Sequence, residues 1–301
     1  MHEVDLMLVN SKICLGTVKI GIPLYGHSVD NNPDEHESLL LAATELGIDS
    51  FDTSPRYKNS ENVIGNFINE HNENLFISTK IDNLIVNNNS VINQMRESVL
   101  RSMDRLGLTR SIDLCYLHQN KLSVISDRYV LEGIDQLKSE GLIDNIGASI
   151  YSFEELDYVV NSNNYDWIQA PVNILDTSFY SRIIKSGSTI KIAARSVFMQ
   201  GIIFDVNAIK SYIPDADKMI LLLNQIKTIG RKHNIELDEL AIAYLFSLQY
   251  IDQILVGTTS IRHLERIMNT SKILLDDNIV NIIDNISEIN KPWTNPRMWN
   301  G

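Results

Sequence analysis

Leu75-Phe76-Ile77-Ser78-Thr79, the segment Ser90 to Gly107 and Ile112-Asp113-Leu114-Cys115-Tyr116-Leu117 together decide the fold. The first and third are apolar runs of strand length. Between them, Ile92, Met95, Val99, Met103 and Leu106 fall on one helical stripe, with Ser90 expected as the N-cap and Gly107 as the stop. The polar run Asn87 to Ser90 reads as the loop tip that leads into this helix. Strand, helix and strand in succession imply two parallel strands joined by a crossover helix.

The same unit recurs in both directions along the chain. Apolar strand-sized runs are Ile13 to Leu15, Ser50 to Phe51, Leu75 to Thr79, Ile112 to Leu117, Ile143 to Ala148, Trp167 to Val172, Ile190 to Ala194 and Gln253 to Val256. Two more helices carry legible punctuation. Asn32-Pro33 is expected to open one, with Leu39, Ala43 and Leu46 on its buried face and Gly47 at its end. Val130, Ile134 and Leu137 before Gly141 form the other. Eight strand–helix units are the number that closes a (β/α)8 barrel, so residues 1–301 are expected to form a single barrel domain, and no Pro/Gly/Ser-rich linker divides them. A doubly wound open sheet is the alternative.

Composition narrows the function. The 301 residues are 44% hydrophobic and 21% charged, as in a globular chain with a sizeable core, and the net charge of -12 without a basic stripe argues against nucleic acid. Met1 to Asn10 lacks the basic start and long apolar run of a secretory signal, and no stretch reaches membrane-spanning length. Cys14 and Cys115 each lie in an apolar run without a metal-ligand partner nearby, so buried thiols in a reducing, cytoplasmic compartment are expected. The histidines form no HxH or HExxH pair, which argues against a metal site. No GxGxxG follows a strand, and no GxxxxGK[ST] occurs.

Barrel enzymes place their chemistry at the C-terminal ends of the strands. There the chain has Asp52, Lys80, His118, Ser149, Arg195 and Gly257, with Gln169 inside the sixth run. The segment Phe51-Asp52-Thr53-Ser54-Pro55-Arg56-Tyr57, followed by Ser60-Glu61 and Gly65, resembles the second-strand signature of the aldo-keto reductases. The resemblance continues through Ser78-Thr79-Lys80, Asp113 to His118, Ile146-Gly147-Ala148-Ser149 and Gln169, in the family's order. Leu15-Gly16-Thr17-Val18-Lys19-Ile20-Gly21, Tyr25-Gly26 and Arg195-Ser196-Val197-Phe198-Met199-Gln200-Gly201 resemble a bacterial branch of that family.

The resemblance implies a nicotinamide-dependent oxidoreductase that interconverts a carbonyl and an alcohol. Such a reaction needs a hydride, which the cofactor supplies, and a proton, which the protein must supply. Tyr57 is the expected acid/base. A free phenol has a pKa near ~10, so it needs a cation to stabilise its phenolate; Lys80 is that cation, expected to lower the Tyr57 pKa, with Asp52 holding Lys80 in place. His118, by the family pattern, donates to the substrate oxygen. Singly, each residue has an ordinary structural use; the combination points to catalysis.

The resemblance also implies where the cofactor lies. Ser149 and Gln169 would hold the nicotinamide amide, Gly16 and Thr17 would approach the ribose, and Arg195, Ser196, Phe198 and Gly201 would lie near the nicotinamide and pyrophosphate. Gly257, Thr258, Thr259, Arg262 and Arg266 would surround the adenine end, on the backbone N–H groups of a helix start. The chain departs from its relatives at Ile150, Arg195, Lys58 and Arg266-Ile267, where many have an asparagine, a ring-stacking tyrosine, a glycine and a Glu-Asn pair. Arg195 is expected either to stack on the nicotinamide or to contact the pyrophosphate. Arg262 and Arg266, four apart on one helical face, are expected to grip a 2′-phosphate, which favours NADPH while leaving NADH possible. The expected partner is a small-molecule carbonyl or alcohol, with sugar-derived compounds suggested by the branch. Two other classes stay open: a cofactor-binding redox sensor without turnover, and a lyase in which Lys80 forms a Schiff base.

Overall fold

Residues Ile13–Gly16 (β1) pair in parallel with Ser50–Asp52 (β2) on one side and with Gln253–Val256 (β8) on the other, which closes the sheet on itself. Between them run Phe76–Ile81 (β3), Ile112–Leu117 (β4), Ile143–Ser149 (β5), Trp167–Pro171 (β6) and Lys191–Arg195 (β7), each parallel to its neighbour. The result is a closed barrel in sequence order, as the eight repeated units predict, and the open-sheet alternative is excluded. This computed structural model describes residues 12–26, 34–71, 73–270, 273–287 and 295–299.

Helices ring the barrel. Among the described residues they are Val18–Gly21 (α1), His36–Glu45 (α2), Ser60–His71 (α3), Ser90–Leu106 (α4), Leu122–Ile125 (α5), Arg128–Ser139 (α6), Phe153–Ser162 (α7), Ser178–Ser186 (α8), Val206–Tyr212 (α9), Ala216–Lys232 (α10), Leu237–Ser247 (α11), Ile261–Thr270 (α12) and Asp277–Ile286 (α13). The stripe read in α4 is real: Met95, Val99 and Leu106 are buried, while Ile92 and Met103 pack at its margin. Gly107 ends it in a left-handed conformation, φ 63°.

Two helix starts differ from expectation. Ser90 is the first helical residue rather than the cap, because Asn88 Oδ1 accepts its N–H at 3.0 Å and turns the chain one step earlier. Helix α2 begins at His36 after Glu35, and the expected opening pair Asn32-Pro33 lies outside the described residues. Leu39 and Ala43 are fully buried as read, and Gly47 takes φ 86° beyond the helix end.

The main core lies between the strands and the helices. A smaller cluster of Leu114, Tyr116, Trp167 and Ala193 is separate from it. Gly147 makes room for this cluster: a Cβ there would stand 2.5 Å from two ring carbons of Tyr116. Cys14 and Cys115 are buried free thiols, held protonated by burial. No described helix is long and apolar enough to cross a membrane.

Candidate active site

The strand ends bring the predicted residues to one cavity. Its volume is about 820 Å³, and its wall includes Gly16, Asp52, Tyr57, Lys80, His118 and Ser149. Asp52 closes β2, Lys80 is the penultimate residue of β3, His118 follows β4, Ser149 and Arg195 end β5 and β7, and Gly257 follows β8. Four of these residues were expected just beyond their strands, and in the structure Asp52, Lys80, Ser149 and Arg195 are the strands' own last residues or next to last. The alternation of a strand then turns their side chains to the site.

Lys80 is 2% exposed and donates to Asp52 Oδ2 at 2.7 Å and to the Thr53 carbonyl at 2.7 Å. Asp52 Oδ1 accepts from Ser78 Oγ at 3.1 Å and from Gln169 Nε2 at 3.0 Å, so the buried carboxylate is fully engaged. Lys80 Nζ also stands 5.0 Å from the centre of the Tyr57 ring. Burial alone pushes the Lys80 ammonium down, but Asp52 and then Tyr57 outweigh it, and its pKa stands above the ordinary lysine value. The cation is permanent at neutral pH.

Tyr57 reaches the site on a tight turn. Its N–H donates to the Ser54 carbonyl at 2.9 Å, and α1 presses against its backbone from the other side. That approach requires glycine at position 21, where a Cβ would lie 1.6 Å from the Tyr57 carbonyl oxygen. The Tyr57 phenol has a raised pKa. Burial is the largest cause, and the charge and hydrogen bond of Lys80 act against it while Asp52 adds to it. The expectation that Lys80 would leave the phenol below its ordinary value is therefore corrected: desolvation outweighs the cation, and Lys80 limits the rise instead.

His118 is neutral, its pKa pushed down to about 4 by burial first, then by the Lys80 charge. Its Nδ1 lies 3.3 Å from Ser54 Oγ, which also accepts the Arg56 backbone N–H at 3.2 Å. Arg56 makes a two-point ion pair with buried Asp82, with Nη2 donating to Oδ1 at 2.7 Å.

The expected cofactor residues line the same cavity, except that Thr259 is buried beside it. In the loop after β7, Ser196, Met199, Gln200 and Gly201 all take positive φ, of 58°, 47°, 56° and 87°. Two of its N–H groups are spent inside the turn, Met199 on the Ser196 carbonyl and Gly201 on the Phe198 carbonyl, both at 2.8 Å, so the fit to an anionic cofactor rests on Arg195 and Arg262, which line the same cavity. Gln169 and Ser149 are joined to each other, with Ser149 Oγ donating to Gln169 Oε1 at 3.1 Å. At the far end the picture changes. The first N–H of α12, on Ile261, is taken by Asp34 Oδ2 at 2.8 Å, so it is not free for a phosphate. Arg266, expected to share a 2′-phosphate with Arg262, pairs with Asp238 instead, while Arg262 is exposed and makes no ion pair among the described residues. Arg195 stacks on Tyr151, a residue the sequence offered no motif to find.

Among known proteins, the Aldo/keto reductase family matches residues 12–288. The methylglyoxal reductase DkgA of Escherichia coli O157:H7 is 35% identical over 132 residues, 42% of this chain and 45% of that protein. The NADH-specific methylglyoxal reductase of Escherichia coli (strain K12) is 24% identical over 257 residues, 73% of this chain and 78% of that one. In three dimensions the chain is similar to the glycerol dehydrogenase AKR11B4 from Gluconobacter oxydans, with a TM-score of 0.72 and 19% identity over 92% of this chain and 91% of that chain. The chain belongs to the aldo/keto reductase family and, with it, to the NAD(P)H-dependent oxidoreductases.

Proposed function

We propose that this protein interconverts a small aldehyde or ketone and its alcohol, with Tyr57 as the acid/base. One observation carries the reading: Lys80, buried and bonded to Asp52 at 2.7 Å, stands against the Tyr57 ring in the cavity that His118 also lines. When bound, the reduced nicotinamide supplies the hydride. Ser149 and Gln169 would hold its amide, and the Ser196–Gly201 loop its pyrophosphate.

In the reducing direction Tyr57 gives its proton to the carbonyl oxygen as that oxygen gains charge. The raised phenol pKa keeps that proton in place at neutral pH, so the enzyme rests in the form that reduction requires. Lys80 then stabilises the tyrosinate, and solvent returns the proton. His118, held neutral, donates a hydrogen bond to the same oxygen without releasing a proton of its own. In the oxidising direction the tyrosinate takes the hydroxyl proton.

A Schiff-base role for Lys80 needs an uncharged amine, which Asp52 and Tyr57 oppose. The sensor alternative differs by turnover. The family's small-molecule chemistry and the methylglyoxal and glycerol named for the relatives favour a short or sugar-derived substrate; Arg262, exposed in the cavity wall, favours NADPH, with NADH usable. The two buried free thiols fit a cytoplasmic setting.

The test is oxidation of NADPH and NADH against a panel of sugar and aromatic carbonyls. Tyr57→Phe is expected to remove at least about a hundredfold of the rate, since acid catalysis contributes ~10² to 10⁴, and to leave cofactor binding intact. Near wild-type turnover in Tyr57→Phe would remove the assignment, and cofactor binding without any turnover would favour the sensor.

A further inference from the structure

Two guanidinium groups share one aromatic ring beside the cavity. Arg195 Cζ stands 3.9 Å from the centre of the Tyr151 ring, and Arg297 Cζ stands 3.6 Å from it. Three separate elements build this arrangement. Tyr151 follows β5 and is held by its backbone N–H, which donates to the buried Glu155 carboxylate at 2.7 Å. Arg195 ends β7. Arg297 lies in the short 3₁₀ turn Pro296–Met298 near the C-terminus.

The bonds that orient both arginines go to uncharged groups. Arg195 donates to the Ile150 carbonyl at 2.6 Å and to Ser196 Oγ at 3.3 Å. Arg297 donates to Asn120 Oδ1 from both terminal nitrogens, at 3.4 and 3.3 Å, and Asn120 is itself anchored by donating to the Ser149 carbonyl at 2.8 Å. Among the described residues neither arginine has an ion-pair partner, whereas Arg56, Arg105 and Arg266 each pair with an acid. Arg195 Nε is buried and makes no hydrogen bond. Two uncompensated cations converge beside the site of a chain whose net charge is -12.

With Cζ atoms 3.9 and 3.6 Å from one ring centre, the two guanidinium groups flank the ring on opposite faces and repel each other across it; an anion at the ring's edge offsets that repulsion. The two planar forks suit a planar, bidentate acceptor. Tyr151, Arg195 and Pro296 line the same cavity as Tyr57 and His118; Arg297 is not in its wall but adjoins it, next to Pro296 and against the Tyr151 ring, so a substrate in the cavity can extend toward the subsite. Arg195 is also among the cations that hold the His118 imidazole down.

We infer that Arg195 and Arg297 form a carboxylate-binding subsite across Tyr151, and that the favoured substrates are carbonyl compounds bearing a carboxylate, such as aromatic oxo acids or sugar acids. This rests on the carbonyl-reducing reading above. An anionic group of the bound cofactor is the competing source of the same chemistry, and the experiment separates the two.

Kinetics with NADPH compare 4-carboxybenzaldehyde with methyl 4-formylbenzoate, and 3-carboxybenzaldehyde with methyl 3-formylbenzoate. The wild type is expected to favour the acid over its ester in kcat/KM by about tenfold or more in at least one pair, mainly through KM. In Arg297→Ala, a change at an exposed position, that ratio is expected to fall about ten- to a hundredfold, with part of it restored by Arg297→Lys. NADPH affinity, read by fluorescence quenching, is expected to move by less than about threefold. Ratios near one in both pairs, or a ratio unmoved in Arg297→Ala, overturn the proposal. A matching loss of NADPH affinity overturns it too, by assigning the guanidinium groups to the cofactor. Calorimetry with isophthalate and terephthalate on the NADP⁺-bound protein makes the subsite testable without turnover. If either dianion binds the wild type and not Arg297→Ala while no aldehyde reacts, the subsite stands and the carbonyl reading falls; if neither binds, the subsite falls.

Discussion

Ser54 Oγ lies 3.3 Å from His118 Nδ1 and accepts the Arg56 backbone N–H from its other side. A hydroxyl has one proton to give. If Nδ1 carried the ring proton, the buried Ser54 hydroxyl would have no acceptor for its own; donation from Ser54 to Nδ1 satisfies both groups and leaves the proton on Nε2. That is the tautomer able to donate to a carbonyl oxygen through Nε2. Ser54 is thus a positioning residue for His118. Ser54→Ala is expected to lower kcat/KM for carbonyl reduction about tenfold, the worth of one neutral hydrogen bond, and to reduce the Nε2–H fraction seen in the imidazole nitrogen NMR shifts. A variant with the wild-type tautomer ratio would show that Ser54 does not set it.

Lys80 limits the rise of the Tyr57 pKa, so removing its charge sends that pKa further up. Alcohol oxidation needs the tyrosinate, and its rate therefore increases with pH toward the phenol pKa. In Lys80→Met the whole limb is expected to move to higher pH, and oxidation near pH 8 to slow. Leaving Asp52 buried without its cation costs about 3 to 5 kcal/mol, so the double variant Asp52→Asn/Lys80→Met serves as the folded control. Losing the Asp52 charge by itself lowers the phenol pKa, so the control is read against Asp52→Asn alone, and a limb no higher in the double variant than in Asp52→Asn would remove Lys80 as the group that tunes Tyr57.

His118 titrates near pH 4 when folded, against an ordinary value of 6.5. The unfolded chain therefore binds one more proton across that window. The sign follows: the contribution of this imidazole to stability is complete above about pH 6.5, falls as pH drops, and levels off below about pH 4. Denaturant midpoints measured from pH 7 to pH 5 should fall more steeply in the wild type than in His118→Asn. Parallel curves would show that His118 is not held neutral by its surroundings.

Arg266 is tied to Asp238, which leaves Arg262 as the free guanidinium of α12 on the side facing the cavity. Arg262→Ala is expected to weaken NADPH binding about tenfold and NADH binding far less, since a charge-assisted contact to a 2′-phosphate is worth roughly 1.5 to 3 kcal/mol. Fluorescence titration with both cofactors measures it. Equal affinities in the wild type, or a preference that survives the substitution, would take Arg262 out of the cofactor site.

The strand runs and the helical stripe from Ile92 to Leu106 were legible because periodicity is local: it records which face of each element turns inward, whatever that face later meets. Eight such units leave few topologies, so the barrel and the placement of Asp52, Lys80 and His118 at its strand ends followed from the sequence alone. The residue types at those ends, with the turn Ser54 to Tyr57, also gave the family. The pairings did not follow. That Arg56 meets Asp82, that Arg266 meets Asp238, that Ser54 faces His118 and that Tyr151 gathers Arg195 and Arg297 depends on which loops lie side by side once the barrel closes, and no local pattern encodes that distance. The Tyr57 pKa shows the same division. Lys80 announced an attraction that lowers it, but the larger effect is the removal of water by the packed walls, a sum over many atoms that exists only in the folded protein.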